Sequence, residues 1–363
     1  MTKLKLLHFI ALIINFIVLT FNMKCILKRI IMNNEEKIFF KSNDNLIIKL
    51  FKKTYIDISN YLNNKYISLI HNNTNETKTK KRLKLYIVDF YKGFSRRWLE
   101  RRIEDNFIIE YNKNNPDYLI FNVFGRKHFN PKYKNAIKIG ILTENIIPNL
   151  NEIDYALGHA HISYMDRYFK YSIFLGYNFS AIKEIREKVI KNPVRKKFCA
   201  AVIRNGHWYH FRTRFLNELN KYKKVDMGGV YRNNIGGHVK DKIKFFSSYK
   251  FSFSMENSNG DGYVSEKIFH SFISGTIPIY YGDYLIDEYI NPKAYILIKG
   301  EKDIAGKIEY IKSIDNDYKK YRSIMSENVI VDNNFTKKID TELKLFLNNI
   351  FQQEKSKARR IDF

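Results

Sequence analysis

One stretch, Lys250 to Asp283, constrains the architecture more than any other. It opens with Phe251-Ser-Phe-Ser-Met255, an apolar/polar alternation with the period of a strand. The turn formers Asn257-Ser-Asn-Gly-Asp-Gly262 follow. From Tyr263 to Ser274, Val264, Ile268 and Phe272 recur at the spacing of one helix face, and Gly275 stands where a helix C′ glycine would. Thr276-Ile-Pro-Ile-Tyr-Tyr-Gly282 reads as a second strand. Strand, loop, helix, strand is a βαβ unit, and such units bind ligands at the carboxyl ends of their strands.

The polar residues of the unit fall at that end. Glu256 and Asn257 close the first strand, and Glu266 and Lys267 lie in the first turn of the helix. Free N–H groups and the positive dipole end make this turn attractive to anions. Glu266 suits the position and Lys267 does not. A lysine there is explained if it holds a phosphate; the other explanation is a solvated side chain on an ordinary helix.

The ordered series F-x-x-x-x-E-N-S, a glycine-rich gap, G-Y-V-S-E-K-I and T-I-P-I-Y-Y-G resembles the signature of the α-1,3-fucosyltransferases, glycosyltransferase family 10. Met255 and Ser265 replace the usual Phe and Thr. Leu142-Thr-Glu-Asn-Ile-Ile-Pro-Asn-Leu-Asn-Glu-Ile-Asp-Tyr-Ala-Leu-Gly158 and Asp166-Arg167-Tyr168 continue the likeness, which is nearest to the bacterial type and runs from about Ile139 to Glu327. It implies an α/β fold of the GT-B kind: two Rossmann-like domains facing across a cleft, here with an N-terminal apolar anchor segment. It also implies an inverting transfer of fucose from GDP-fucose to a GlcNAc-containing, LacNAc-type glycan acceptor in α-1,3 or α-1,4 linkage, with no cofactor required.

Charge bears on partners. With 63 Lys and Arg against 37 Asp and Glu, the net charge is +26, which favours nucleic acid, acidic lipid or phosphorylated substrates. The basic residues are spread along the chain, and neither a zinc-ligand spacing nor an RNP-like aromatic motif is present, so no nucleic-acid partner is expected. The rival readings are a GT-B transferase with another sugar-nucleotide donor, a basic nucleic-acid-binding protein, and a tethered protein that kept the fold and lost catalysis. The two cysteines, Cys25 and Cys199, are not expected to pair.

Leu6 to Phe21 is apolar apart from His8, Asn15 and Thr20, and no small-residue cleavage site follows it. It reads as an uncleaved membrane anchor, with an interfacial helix as the alternative. Family likeness then implies a Golgi-type single-pass protein in a eukaryotic cell, or an inner-membrane surface in a bacterium. The expected organisation is an anchor over residues 1–30, a polar extension over 31–82, an acceptor-side domain over 83–192, a GDP-fucose-binding domain over 193–335, and a terminal helix with a basic tail over 336–363. Strands are expected at Leu83–Tyr91, Asp117–Phe124, Ala136–Leu142, Ile153–Leu157, Phe198–Ile203 and Tyr295–Ile298, with helices at Arg96–Ile103, Ala181–Lys191, Ile304–Ile314 and Thr341–Gln353. Glycosylation sequons occur at Asn72, Asn75, Asn178 and Asn334, as chance allows in so Asn-rich a chain.

Transfer from a nucleotide sugar needs a neutralised diphosphate, a proton acceptor for the hydroxyl, and polar groups around an oxocarbenium-like state. Asp315-Asn-Asp317 has the D-x-D spacing of metal-using transferases, but reads as a solvated turn, and no metal site is expected. His159 and His161 lack acidic or cysteine neighbours in sequence that would make them metal ligands. Cations are the alternative: Lys267, and Arg212, which the family alignment puts at the diphosphate-binding arginine, with Arg214 next if the register slips. The likeness puts Glu144 at the general base, directly after an apolar strand and without the glycine that usually precedes it. It also places Asn257, Tyr263 and Glu266 near nucleotide and fucose, gives Asp166–Tyr168 a structural part, and sets Asn233-Asn-Ile-Gly-Gly237 beside the nucleotide.

Overall fold

The computed structural model describes residues 80–191, 197–206, 210–258, 260 and 262–361. The expected anchor, nearly all of the polar extension, Cys25 and the sequons at Asn72 and Asn75 lie outside the described residues. Among the described residues no helix is long and apolar enough to cross a membrane.

The first sheet takes in β1 (Lys81–Val88), β2 (Phe107–Tyr111), β3 (Tyr118–Phe121), β4 (Ile137–Ile141), β5 (Tyr155–Gly158) and β6 (Tyr168–Lys170), with helix α1 (Arg97–Ile103) between the first two strands. Its order is β2-β1-β3-β4-β5-β6 and every pairing is parallel. All of β3, β4 and β5 is buried, as a parallel sheet covered on both faces requires. Helix α2 (Ser180–Lys191) leads to the second sheet: β7 (Lys197–Ala201), β8 (Val225–Met227), β9 (Tyr249–Met255), β10 (Ile277–Tyr281) and β11 (Ile296–Leu297). Helices α3 (His210–Tyr222), α4 (Lys242–Phe246) and α5 (Glu266–Ile273) connect these strands. The order is β11-β10-β9-β7-β8, again wholly parallel. In both sheets the strand order reverses beside the first strand, so each has a switch point outside its carboxyl edge, where ligands bind in doubly wound folds.

The βαβ unit read from the sequence is β9, α5 and β10, with Phe251 paired to Ile277 and Met255 to Tyr281. Helix α5 ends at Gly275, φ +64°: its N–H donates to the Phe272 carbonyl and that of Thr276 to the Ser271 carbonyl, which together form a Schellman stop. Three short edge strands, β2, β6 and β8, were not expected; three to five residues carry too little alternation to declare a strand.

Helices α6 (Ile304–Asp315) and α7 (Tyr318–Ser326) cover the second sheet, and α8 (Phe335–Gln352) with the single turn α9 (Lys355–Ala358) closes the described chain. Helix α8 returns to the first sheet. Phe351 packs edge-on against Phe107 and Tyr118, and Phe346 against Tyr155. The basic tail is likewise engaged: Lys355 pairs with Asp117 at 2.8 Å, Arg360 pairs with Asp166, and the Arg360 N–H donates to Asp154. One apolar cluster takes in Leu83, Ile139 and Leu157 of the first sheet, Ile268, Phe269 and Phe272 of α5, and Phe346 and Phe351 of α8. Helix α5 of the second sheet is thus anchored in the same core as the first sheet.

Candidate active site

The switch point of the second sheet lies between β7 and β9. Arg212, on α3 just after β7, is buried and donates to Asn257 Oδ1 at 2.9 Å and to the Asn205 carbonyl. This places a guanidinium between the carboxyl ends of the two strands that flank the reversal.

Beside it, Glu256 ends β9 and has no exposed surface. Its carboxylate accepts from the Ser265 N–H at 2.8 Å, the Ser265 hydroxyl at 2.7 Å and Lys267 Nζ at 3.0 Å. Ser265 occupies the N-cap position of α5 but makes no side-chain cap, because its hydroxyl is turned to Glu256. Lys267 also donates to Ser265 Oγ at 2.8 Å and lies 3.7 Å from Glu266. A lysine in the first turn is unfavourable only until its partner is seen: a buried carboxylate holds it there. Burial opposes charge on Lys267, yet Glu256 and Glu266 together hold its ammonium above the ordinary value. Glu266 is held below the usual carboxylate range, burial acting against this and Lys267 and Lys242 outweighing it.

The loops after the strands of the two sheets meet around Gly262. Its φ is +89°, and a Cβ there would stand 1.9 Å from the His159 carbonyl oxygen, so conformation and close approach both demand glycine. Ser172 donates to the Gly262 carbonyl at 2.8 Å, His161 Nε2 lies 3.2 Å from both Asp283 oxygens, and Lys170 donates to the Tyr289 hydroxyl at 3.0 Å. Asn145 donates to Ser258 at 2.7 Å and lies 2.9 Å from His159 Nε2. Burial, relieved in part by Asp283, pushes the His159 imidazole down to about 4, so it is neutral at pH 7.

Glu144 follows β4, and across this junction its carboxyl lies near the Tyr263 phenol and feels Lys267 and Glu266. Burial raises its carboxyl above the ordinary range, Lys267 opposes, and Glu266 adds to the rise. Tyr263 is buried; first that burial and then Glu256, Glu144 and Glu266 keep its hydroxyl protonated. A partly buried carboxylate from one sheet therefore stands beside a cationic, N–H-rich helix start from the other. Such a pairing can take a proton on one side and hold an anion on the other.

Two family models match the chain. One, described as the α-(1,3)-fucosyltransferase FucT N-terminal domain, covers residues 85–177; the other, glycosyltransferase family 10 (fucosyltransferase) C-term, covers 192–340. Together they take in more than half of the sequence. The chain belongs to glycosyltransferase family 10. Similar relatives include the α-(1,3)-fucosyltransferase FucT of Helicobacter pylori, 30% identical over 229 residues, 54% of this chain and 48% of that protein. Human 4-galactosyl-N-acetylglucosaminide 3-α-L-fucosyltransferase 9 is 29% identical over 139 residues, 37% of this chain and 38% of that one. The chain thus spans less than half the length of these relatives. Among solved structures, an α1,3-fucosyltransferase crystallised with GDP aligns over 76% of this chain and 92% of that one, with 25% identity and a TM-score of 0.61.

Within this family-10 chain Arg212 and Arg214 part company. Arg212 is buried at the switch point, whereas the Arg214 side chain is 57% exposed and paired with Glu301. The expectation that Asp315-Asn-Asp317 is a solvated turn is corrected. The Asp315 carboxylate is buried, with Lys250 at 2.7 Å, Lys223 at 3.1 Å and the Tyr222 hydroxyl at 2.9 Å, while Asp317 caps α7 through the N–H groups of Lys319 and Lys320. Both aspartates are structural. Arg167 donates to the carbonyls of Leu150, Ile153 and Asp154, which gives the D-R-Y segment its part in holding the first sheet. Of the two acids nearest Glu144 in sequence, Asp154 is consumed by the Lys138 and Arg360 N–H groups and Glu152 is exposed. Sequence reasoning named Glu256 without a role and gave none to Asp283. Each ends a strand of the βαβ unit, and that position was the available signal. Among the described residues no three His, Cys, Asp or Glu side chains are grouped as a metal site.

Proposed function

We propose that this chain is an inverting fucosyltransferase of GT-B form that uses GDP-fucose and acts on a GlcNAc-containing, LacNAc-type acceptor, forming an α-1,3 or α-1,4 linkage. The observation that carries the reading is the nearness of the Glu144 carboxyl, from the first sheet, to Tyr263, Lys267 and Glu266 at the start of α5, where burial raises its pKa. Arg212 and Lys267 bind the diphosphate, aided by free N–H groups at the helix start. Asn257, Tyr263 and Glu266 line the nucleotide and fucose positions. The acceptor hydroxyl oxygen forms a bond to the anomeric carbon as the bond from that carbon to the β-phosphate oxygen breaks; GDP leaves with the electron pair, and Glu144 takes the hydroxyl proton. Attack from the face opposite the leaving group inverts the anomeric centre. No resident metal or cofactor enters this scheme. Membrane attachment through Leu6–Phe21 is a separate proposal, tested by whether the full chain sediments with membranes and resists alkaline extraction.

The test of Glu144 is paired. General-base contributions are typically about a hundredfold to ten-thousandfold in rate, so Glu144→Gln should lower kcat by that order with GDP affinity nearly unchanged in calorimetry. Near-normal turnover would remove Glu144 from the role, and lost GDP affinity would make it a structural residue.

A further inference from the structure

Two larger cavities, about 730 and 620 Å3, run along Thr336 and Lys337 of α8, and neither is lined by any residue of β4. A smaller one, about 220 Å3, is lined by Tyr91, Phe94, Trp98, Tyr171, Tyr177 and Thr143, among others. We propose that this aromatic cavity is the acceptor subsite and takes the apolar C–H face of one pyranose ring; the proposal rests on the fucosyl-transfer reading above.

Location is the first argument. The cavity lies outside the carboxyl ends of β1 and β4, where the first sheet would bind a ligand. Thr143, on its lining, immediately precedes Glu144. On the opposite side Tyr177 stacks on Phe269 of α5 with ring centroids 4.3 Å apart, and lies 5.9 Å from His270 of the same helix. The cavity therefore touches the strand that leads to the base, and Tyr177 of its wall packs on the helix that faces the donor. An acceptor must bridge the same two elements.

Chemistry is the second. No charged side chain lines the cavity. Thr143 Oγ is already engaged by Asn122 Nδ2 at 3.0 Å. What remains is ring faces and aliphatic side chains with the hydroxyls of Tyr91, Tyr171 and Tyr177, suited to C–H groups beside a few sugar hydroxyls and hostile to an unpaired charge. A pyranose offers such a face while keeping its hydroxyls at the rim. Ligand pockets usually run from about 300 Å3 upward, so this one suits a single ring rather than a whole oligosaccharide.

Rigidity is the third. Each wall is backed by another ring: Phe94 by Phe90 at 3.8 Å, Trp98 by Tyr171 at 5.5 Å, and Tyr177 by Phe269. Trp98 also carries the Arg102 guanidinium 4.4 Å from its ring. Walls ordered in advance lose little entropy when a ring enters.

The experiment uses the full chain, with Tyr91→Ala and Tyr177→Leu. Tyr91 is 43% exposed, so its truncation leaves the core intact. Saturation-transfer NMR with LacNAc should show sugar ring protons receiving magnetisation from the wild-type aromatic protons, and a loss of that transfer in Tyr91→Ala. In turnover assays the KM for LacNAc should rise by about tenfold in each variant, the worth of a lost stacking contact and its burial, with GDP affinity unchanged. Unaltered saturation transfer in both variants, or a KM within about twofold of wild type at normal GDP affinity, would overturn the proposal. Saturation transfer that depends on Tyr91 in a protein unable to use GDP-fucose would support the subsite and defeat the transfer reading.

Discussion

Lys267 has a structural duty that a ligand-binding role alone would not give it, and Lys267→Met isolates that duty. The substitution keeps the side chain's length and removes the ammonium. Glu256, with no exposed surface, would keep the Ser265 N–H and hydroxyl and lose its only ion-pair partner among the described residues. Removing one partner of a buried pair typically costs about 3–5 kcal/mol. The Lys267 side chain is 18% exposed, so water reaches part of the pair and the lower end applies, about 3 kcal/mol. That is a large share of a net stability on the order of 5–15 kcal/mol. Urea unfolding of the ligand-free protein should show a lowered midpoint at unchanged slope, which marks a stability change rather than a change in unfolded-state compactness. Glu256→Gln combined with Lys267→Met should recover much of the loss, because a neutral amide needs no cation. A Lys267→Met midpoint equal to wild type would refute the ion-pair account and return the residue to a purely ligand-binding role.

Other outcomes follow from the junction and the base. Burial raises the Glu144 carboxyl, so kcat should fall as pH drops through a value above the ordinary glutamate range; an acid limb at the position of an exposed glutamate would contradict this. By the same shift, the stability that protonated Glu144 contributes is present in acid and lost as pH rises through its raised pKa, so Glu144→Gln should melt no lower than wild type at neutral pH. Gly262→Ala forces a side chain into φ +89° and against the His159 carbonyl, and should cost at least about 1–3 kcal/mol, with a clear fall in Tm; an unchanged Tm would mean that this loop relaxes freely.

How much of this was legible in the sequence depended on range. The unit β9-α5-β10 was readable because its signals are local: a two-residue alternation, a helical period and a C′ glycine, all within one stretch. Partners distant in sequence were not. His161 and Asp283 meet across 122 residues, and only the fold reveals that the two histidines serve a junction. Asp315 was misread for the same reason, since the spacing of Asp315 and Asp317 says nothing of burial under Lys223 and Lys250. A helix was expected over Thr341–Gln353, but the sequence could not say which sheet α8 covers. The position of Lys267 was noticed as unfavourable, and what stabilises it lay eleven residues upstream at Glu256, inside the motif but without a period to announce the pairing.

The central claim is most directly tested by incubating the full chain with GDP-fucose and LacNAc in the presence of EDTA and characterising the product by NMR. The account predicts an α-linked fucosyl residue on the GlcNAc ring, with GDP released in equal amount. Failure to consume GDP-fucose while a UDP- or CMP-sugar is transferred to the same acceptor would contradict it.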